Sequence, residues 1–195
     1  MDMNKISAII VLLVALTALQ GQDLIMGANN KMVWGRENTN EVILNLDFKA
    51  KVKPISLLIG YDNPNGIKFR ISYEDLNIAV DLRYILSMKS GMDEWGDRDE
   101  GYFIQAATHD FDNDKNPEII IVFGDGLTDM SVNVVKYHPP TNPDDAIRRE
   151  NWTIVGNFSG QDKIFVDSQV IKIPIGSQGL FEEFTWINSK FVKTN

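Results

Sequence analysis

The chain has 195 residues, no cysteine and a formal net charge of −8 at pH 7, from 19 basic and 27 acidic residues. That acidity disfavours nucleic acid and anionic membrane surfaces as partners. Without cysteine there is no disulfide, no lipidated thiol and no zinc site of the usual thiolate type, so stability must come from packing and from any bound metal.

In chain order, the first predicted element is the opening "MDMNKISAIIVLLVALTALQGQ", with Lys5, an uncharged apolar stretch from Ile6 to Leu19, and small and polar residues around Gly21. This pattern predicts a secretory signal peptide over residues 1–21. As a helix the apolar run covers about 21 Å, short of the ~30 Å hydrocarbon core, which disfavours a membrane anchor. Cleavage leaves about 174 residues, a size suited to a single β-rich domain over 22–195. An exported, cysteine-free chain fits a bacterial periplasm or an extracellular setting. There "NWT" at 151–153 and "NFS" at 157–159 read as polar turn and strand residues rather than glycosylation acceptors.

Period-two alternation then dominates. Leu44, Leu46, Phe48, Ala50 and Val52 alternate with Asn45, Asp47 and the lysines 49, 51 and 53, which suit an edge strand protected from aggregation. From Leu76 to Met88 every even position is apolar. Further strands are predicted at 56–61, 68–73, 101–107, 119–123, 131–137, 152–158, 163–166, 170–175 and 180–186, the last followed by a closing hairpin through "INSK". No long amphipathic helix is evident. The expected fold is all-β: an antiparallel meander or sandwich, or a partial-propeller-like domain, of roughly ten short strands. The loop "HPPTNPDDAIRRE" at 138–150, with three prolines, is expected to separate two sheet units.

The acidic segment "DEWGDRDEG" at 93–101 embeds Trp95 among five acids, and reads as a solvated loop or a partner surface. More specific is "HDFDNDKNPEIIIVFGDG" at 109–126. Alternating Asp110, Asp112 and Asp114 let a tight turn point three carboxylates inward. Glu118 returns a fourth from the next strand, and Asn116 offers a backbone carbonyl. Such a set of hard oxygens suits calcium, and a divalent cation relieves the mutual repulsion of the acids. The competing reading is a metal-free Asp/Asn-rich turn. An EF-hand is excluded, because Lys115 stands at the sixth loop position and Ile121 at the twelfth, and Pro117 resists a following helix. His109 adjoins the loop as a candidate acid, base or ligand.

The segment "FIQAATHDFDNDKNPEIIIVFGDG" resembles a single FG-GAP or VCBS-type repeat, the calcium-loop hairpin of integrin-like β-propeller blades, over roughly residues 101–137. The resemblance implies calcium bound at Asp110, Asp112, Asp114 and Glu118, with Ile119 as the apolar closing position and Phe103 near the start of the inner strand. Lys115 replaces the family's glycine, so it must accept a left-handed conformation or relax the loop.

No nucleophile elbow, zinc-protease helix or phosphate loop is present in the sequence. The expected function is an exported, non-catalytic calcium-binding module that meets a protein or glycan at the bacterial cell envelope, with calcium structural. The alternative is a small calcium-dependent hydrolase of a polysaccharide or phosphate ester, using the ion and a neighbouring acid.

Overall fold

The computed structural model describes residues 25–27, 33–34, 36–38, 41–46, 55–62, 66–73, 76–80, 103–124, 130–145, 148–176 and 179–195. The predicted signal peptide, the lysines 49, 51 and 53, the segment 93–101 and residues 81–88 of the 76–88 alternation lie outside these residues.

The described residues are nearly all strand, in three five-stranded sheets. One sheet is a meander of β3 (Arg36–Asn38), β4 (Glu41–Leu46), β5 (Ile55–Asp62), β6 (Gly66–Tyr73) and β7 (Leu76–Val80). The central sheet runs in the order β11 (Trp152–Gly160), β10 (Met130–Tyr137), β9 (Glu118–Gly124), β8 (Phe103–His109) and β2 (Val33–Trp34). The C-terminal sheet runs β1 (Ile25–Gly27), β12 (Ile164–Asp167), β13 (Val170–Ile175), β14 (Leu180–Ile187) and β15 (Lys190–Lys193). Pairing is antiparallel throughout except between β1 and β12. The fold is therefore all-β, as the alternation predicts. The additional strands β1, β2 and β3 have two or three residues each, too few for alternation to register.

The central and C-terminal sheets form a sandwich. Ala107, Ile120, Val122, Met130, Val132 and Val134 of the central sheet meet Ile25, Ile164, Val166, Ile171, Ile173 and Trp186 of the other in one buried cluster. On the opposite face of the central sheet Ile119, Ile121, Phe123 and Val135 are also buried, and β4 lies against β8. Burial on both faces explains why β9 reads as an unbroken apolar run rather than an alternation.

The loop 138–150 does not separate two sheet units. It joins β10 to β11, which are neighbours in one sheet, and it carries two short 3-10 turns, Pro143–Asp145 and Arg149–Asn151. Proline keeps the segment out of the ladder, but the chain returns along the strand it left. The change of sheet comes after β11. At its last residue, Gly160, an added Cβ would stand 2.2 Å from Ile173 Cγ2, so only glycine admits the crossover there. The asparagines of "NWT" and "NFS" both serve the fold. Asn151 Nδ2 donates to the Asp145 carbonyl at 2.6 Å, and Asn157 Nδ2 donates to Asn133 Oδ1 at 2.8 Å.

Candidate cation site

The β8–β9 register closes on the pair His109 and Glu118, leaving residues 110–117 as the hairpin loop. The aspartates shape this loop through its own backbone. Asp110 Oδ1 accepts from the Asp114 amide at 3.1 Å and its Oδ2 from the Lys115 amide at 3.0 Å. Asp112 Oδ1 accepts from the Asp114 amide at 3.2 Å, and Asp114 Oδ1 from the Asn116 amide at 2.7 Å. These are Asx-type turns, which draw the chain into a tight coil. Two residues take left-handed backbone, Asn113 at φ 59° and Lys115 at φ 73°. Lys115 thus adopts the strained conformation instead of relaxing the turn.

Between the outward acids, Phe111 points the other way. It is fully buried, edge-on to His109 at 4.5 Å and to Phe191 at 5.0 Å, and stacked with Trp186 at 6.3 Å. This plug fastens the loop to the C-terminal sheet. Its amide donates to Glu118 Oε2 at 2.9 Å. His109 adds a second tie, its Nε2 lying 2.6 Å from the Ser168 carbonyl. A carbonyl only accepts, so Nε2 carries the proton, and Nδ1 is buried without a partner. His109 therefore joins the loop to the β12–β13 turn.

Carboxylate oxygens of Asp110, Asp112 and Glu118 lie within 4.8 Å of one another, an arrangement able to hold a metal ion. Asp114 and Asn116 stand outside that trio. Asp114 is the most exposed of the acids, and Asn116 is tied to it through its amide.

Sequence reasoning missed the residue that the acids now surround. The ammonium of Lys136, on β10, donates to Asp112, to Asp114 Oδ2 at 2.9 Å and to Glu118 Oε1 at 2.8 Å. It also sits 5.9 Å from the centroid of the Trp186 ring, within cation–π range. The register, in which Val135 faces Ile119, sets Lys136 opposite Glu118 at the end of the same two strands. The signal was present in the strand itself. Met130, Val132 and Val134 point into the sandwich, and Lys136 is the next residue of that parity.

Burial pushes the Glu118 carboxyl above its ordinary value, against the lowering pull of the Lys136 and Phe111 donors. For Asp114 burial acts in the same raising sense, but the bonds from Lys136 and Asn116 outweigh it and the carboxyl falls below the ordinary range. Burial alone would lower the Lys136 ammonium. Its three carboxylate partners reverse that and hold it well above an ordinary lysine. Within the cluster Lys136 is the critical member, since removing it would leave the wholly buried Glu118 without its cation.

No family model matches the chain, and comparison with curated proteins and with solved structures returned no match.

Proposed function

We propose that the chain is an exported, non-catalytic β module that binds a protein or glycan at the cell envelope, and that its loop 110–118 takes calcium as a structural ion. The export half of this reading rests on the amino-terminal sequence. The observation that carries the calcium half is the convergence of three carboxylates from one hairpin loop, one of them on the wholly buried Glu118. Hard oxygens at that spacing suit calcium better than a transition metal, and the same segment resembles a blade-type calcium loop.

A structural role is favoured over a catalytic one by where the oxygens already point. Asp110, Asp112 and Glu118 all accept backbone amides of their own loop, and Phe111 anchors it from beneath. Acids occupied in this way hold a turn closed. They are poorly placed to present a free base to a substrate.

Calcium binding to the folded state alone raises stability. At an affinity of about 10⁻⁴ to 10⁻³ M, millimolar calcium contributes about 0.4 to 1.4 kcal/mol, a rise of about 1 to 6 °C in Tm. The test is a melting series with calcium and with chelator, on wild type and on the double variant Asp112→Asn, Asp114→Asn. The variant is expected to lose the calcium response and keep its strand content. A wild-type curve unmoved by about ten millimolar calcium would overturn the calcium reading.

A further inference from the structure

We propose that Lys136 is a tethered cation of the acidic loop: its ammonium fills the place of a metal ion, so the loop closes without one, and calcium enters only by displacing it. The inference rests on the calcium reading above for its second half and on geometry alone for its first.

The geometry has three parts. The ammonium has three donors and spends them on Asp112, Asp114 and Glu118, three of the four acids the loop brings together. The fourth, Asp110, turns both oxygens to the amides of Asp114 and Lys115. Every acid of the loop therefore has an oxygen engaged by a donor of the chain itself, and the Lys136 ammonium is the cation placed among them. The second part is direction. Lys136 reaches the acids from a different strand, along the buried side of the central sheet, with the Trp186 ring beside its ammonium. The third is specificity. Lys115 lies within the loop itself, yet its backbone amide serves the turn while Lys136 supplies the ammonium.

A metal ion able to ligate Asp112 and Glu118 must share those carboxylates with the ammonium or replace it. Two cations at hydrogen-bond distance from the same carboxylates repel strongly. Exchange follows, and the loop behaves as a clasp with two alternative fillings.

The experiment uses the full mature chain and calcium chloride as the probe. Lys136→Met keeps an unbranched apolar stem and removes the charge. The variant is expected to bind calcium with a half-saturating concentration at least about tenfold below wild type, and to depend on calcium for its native melting temperature. Should Lys136→Met be unfolded in chelator, refolding on calcium addition gives the same support. Should it stay unfolded in both, the comparison moves to a Glu118→Gln background, where the buried charge is gone. There Lys136→Met is expected to cost much less than in wild type. An equal cost in both backgrounds would mean that Lys136 matters for packing alone, and would overturn the inference.

The two readings fail separately. Calcium binding in Lys136→Met but not in wild type upholds the tethered cation and removes calcium as the native ligand. Equal calcium binding in both proteins upholds calcium and overturns the tether. Absence of binding in both, with Lys136→Met as stable as wild type, overturns both.

Discussion

Among the described residues, two regions pair lysine with carboxylate, and they do so under opposite conditions. In the acidic loop Lys136 is almost covered and Glu118 wholly so. On the C-terminal sheet Lys172 pairs with Glu183 at 2.7 Å and Lys193 with Glu182, and those side chains keep much of their contact with water. The surface pairs are held by strand register, Lys172 lying directly opposite Glu183, and solvent screens them. The loop cluster is held by burial. The difference teaches that the contact distance says little by itself: what decides the consequence of losing a lysine is whether the carboxylate left behind can reach water.

The largest expected effect tests that distinction at Lys136. Lys136→Met strands Glu118 without its cation, and the loss in metal-free buffer is expected to be about 3 to 5 kcal/mol by denaturant titration. A loss below about 1 kcal/mol would place the cluster with the surface pairs.

The second effect is one of pH, and its sign follows from the shifts. The folded Lys136 ammonium lies above the ordinary lysine value of 10.5. Its contribution is therefore complete below about pH 10.5 and is lost as pH rises beyond it. The stability difference between wild type and Lys136→Met should be level from about pH 6 to 10 and then shrink. At the acid end the two carboxyls oppose each other. Glu118, raised above 4.5, holds its proton more firmly when folded, so its contribution declines as pH rises through that range. Asp114, lowered below 3.8, gains in the same direction. Acid unfolding is accordingly expected to be less sensitive to this cluster than base unfolding.

A smaller effect sharpens the account of the turn. Lys115 holds left-handed backbone with φ 73°, so Lys115→Gly should stabilise the metal-free protein by about 0.5 to 1 kcal/mol, after the entropy glycine gains in the unfolded chain is subtracted. Differential scanning calorimetry resolves this as a rise in Tm, and a fall would show that the Lys115 stem contributes contacts of its own. Smallest of all, Lys193→Ala at the surface should cost about 0.2 to 1 kcal/mol and be insensitive to calcium.

Much of the architecture was legible in the sequence, because half-buried strands write their two faces into alternate residues. The strands β4 to β14 follow predicted runs to within two or three residues at the ends described. Where the physics is not local, the reading stops. The partner of β1 is β12, more than a hundred positions away, and a three-residue strand carries no sign of whom it will pair with. The proline-rich loop 138–150 announces a break in the ladder but not which strand follows, and the chain uses it to double back.

The candidate site divides in the same way. Asp110, Asp112, Asp114 and Glu118 are legible as one cluster because a short loop forces them together. Phe111 sits among them and was passed over, although an aromatic between two aspartates has little reason to be there unless it is buried. Lys136 lies 18 positions from Glu118, and only the strand register joins them. Counting inward residues along "MSVNVVK" exposes it as a charge where an apolar side chain is expected. That parity is the cue to look across the hairpin for its counter-charge.

The most direct measurement is a high-resolution crystal structure of the protein grown in chelator at neutral pH. The account predicts ammonium density within hydrogen-bond reach of Asp112, Asp114 and Glu118, with the loop fully ordered and Phe111 seated against Trp186. A Lys136 side chain turned into solvent, with water or a retained metal ion at the centre of the acids, would contradict it.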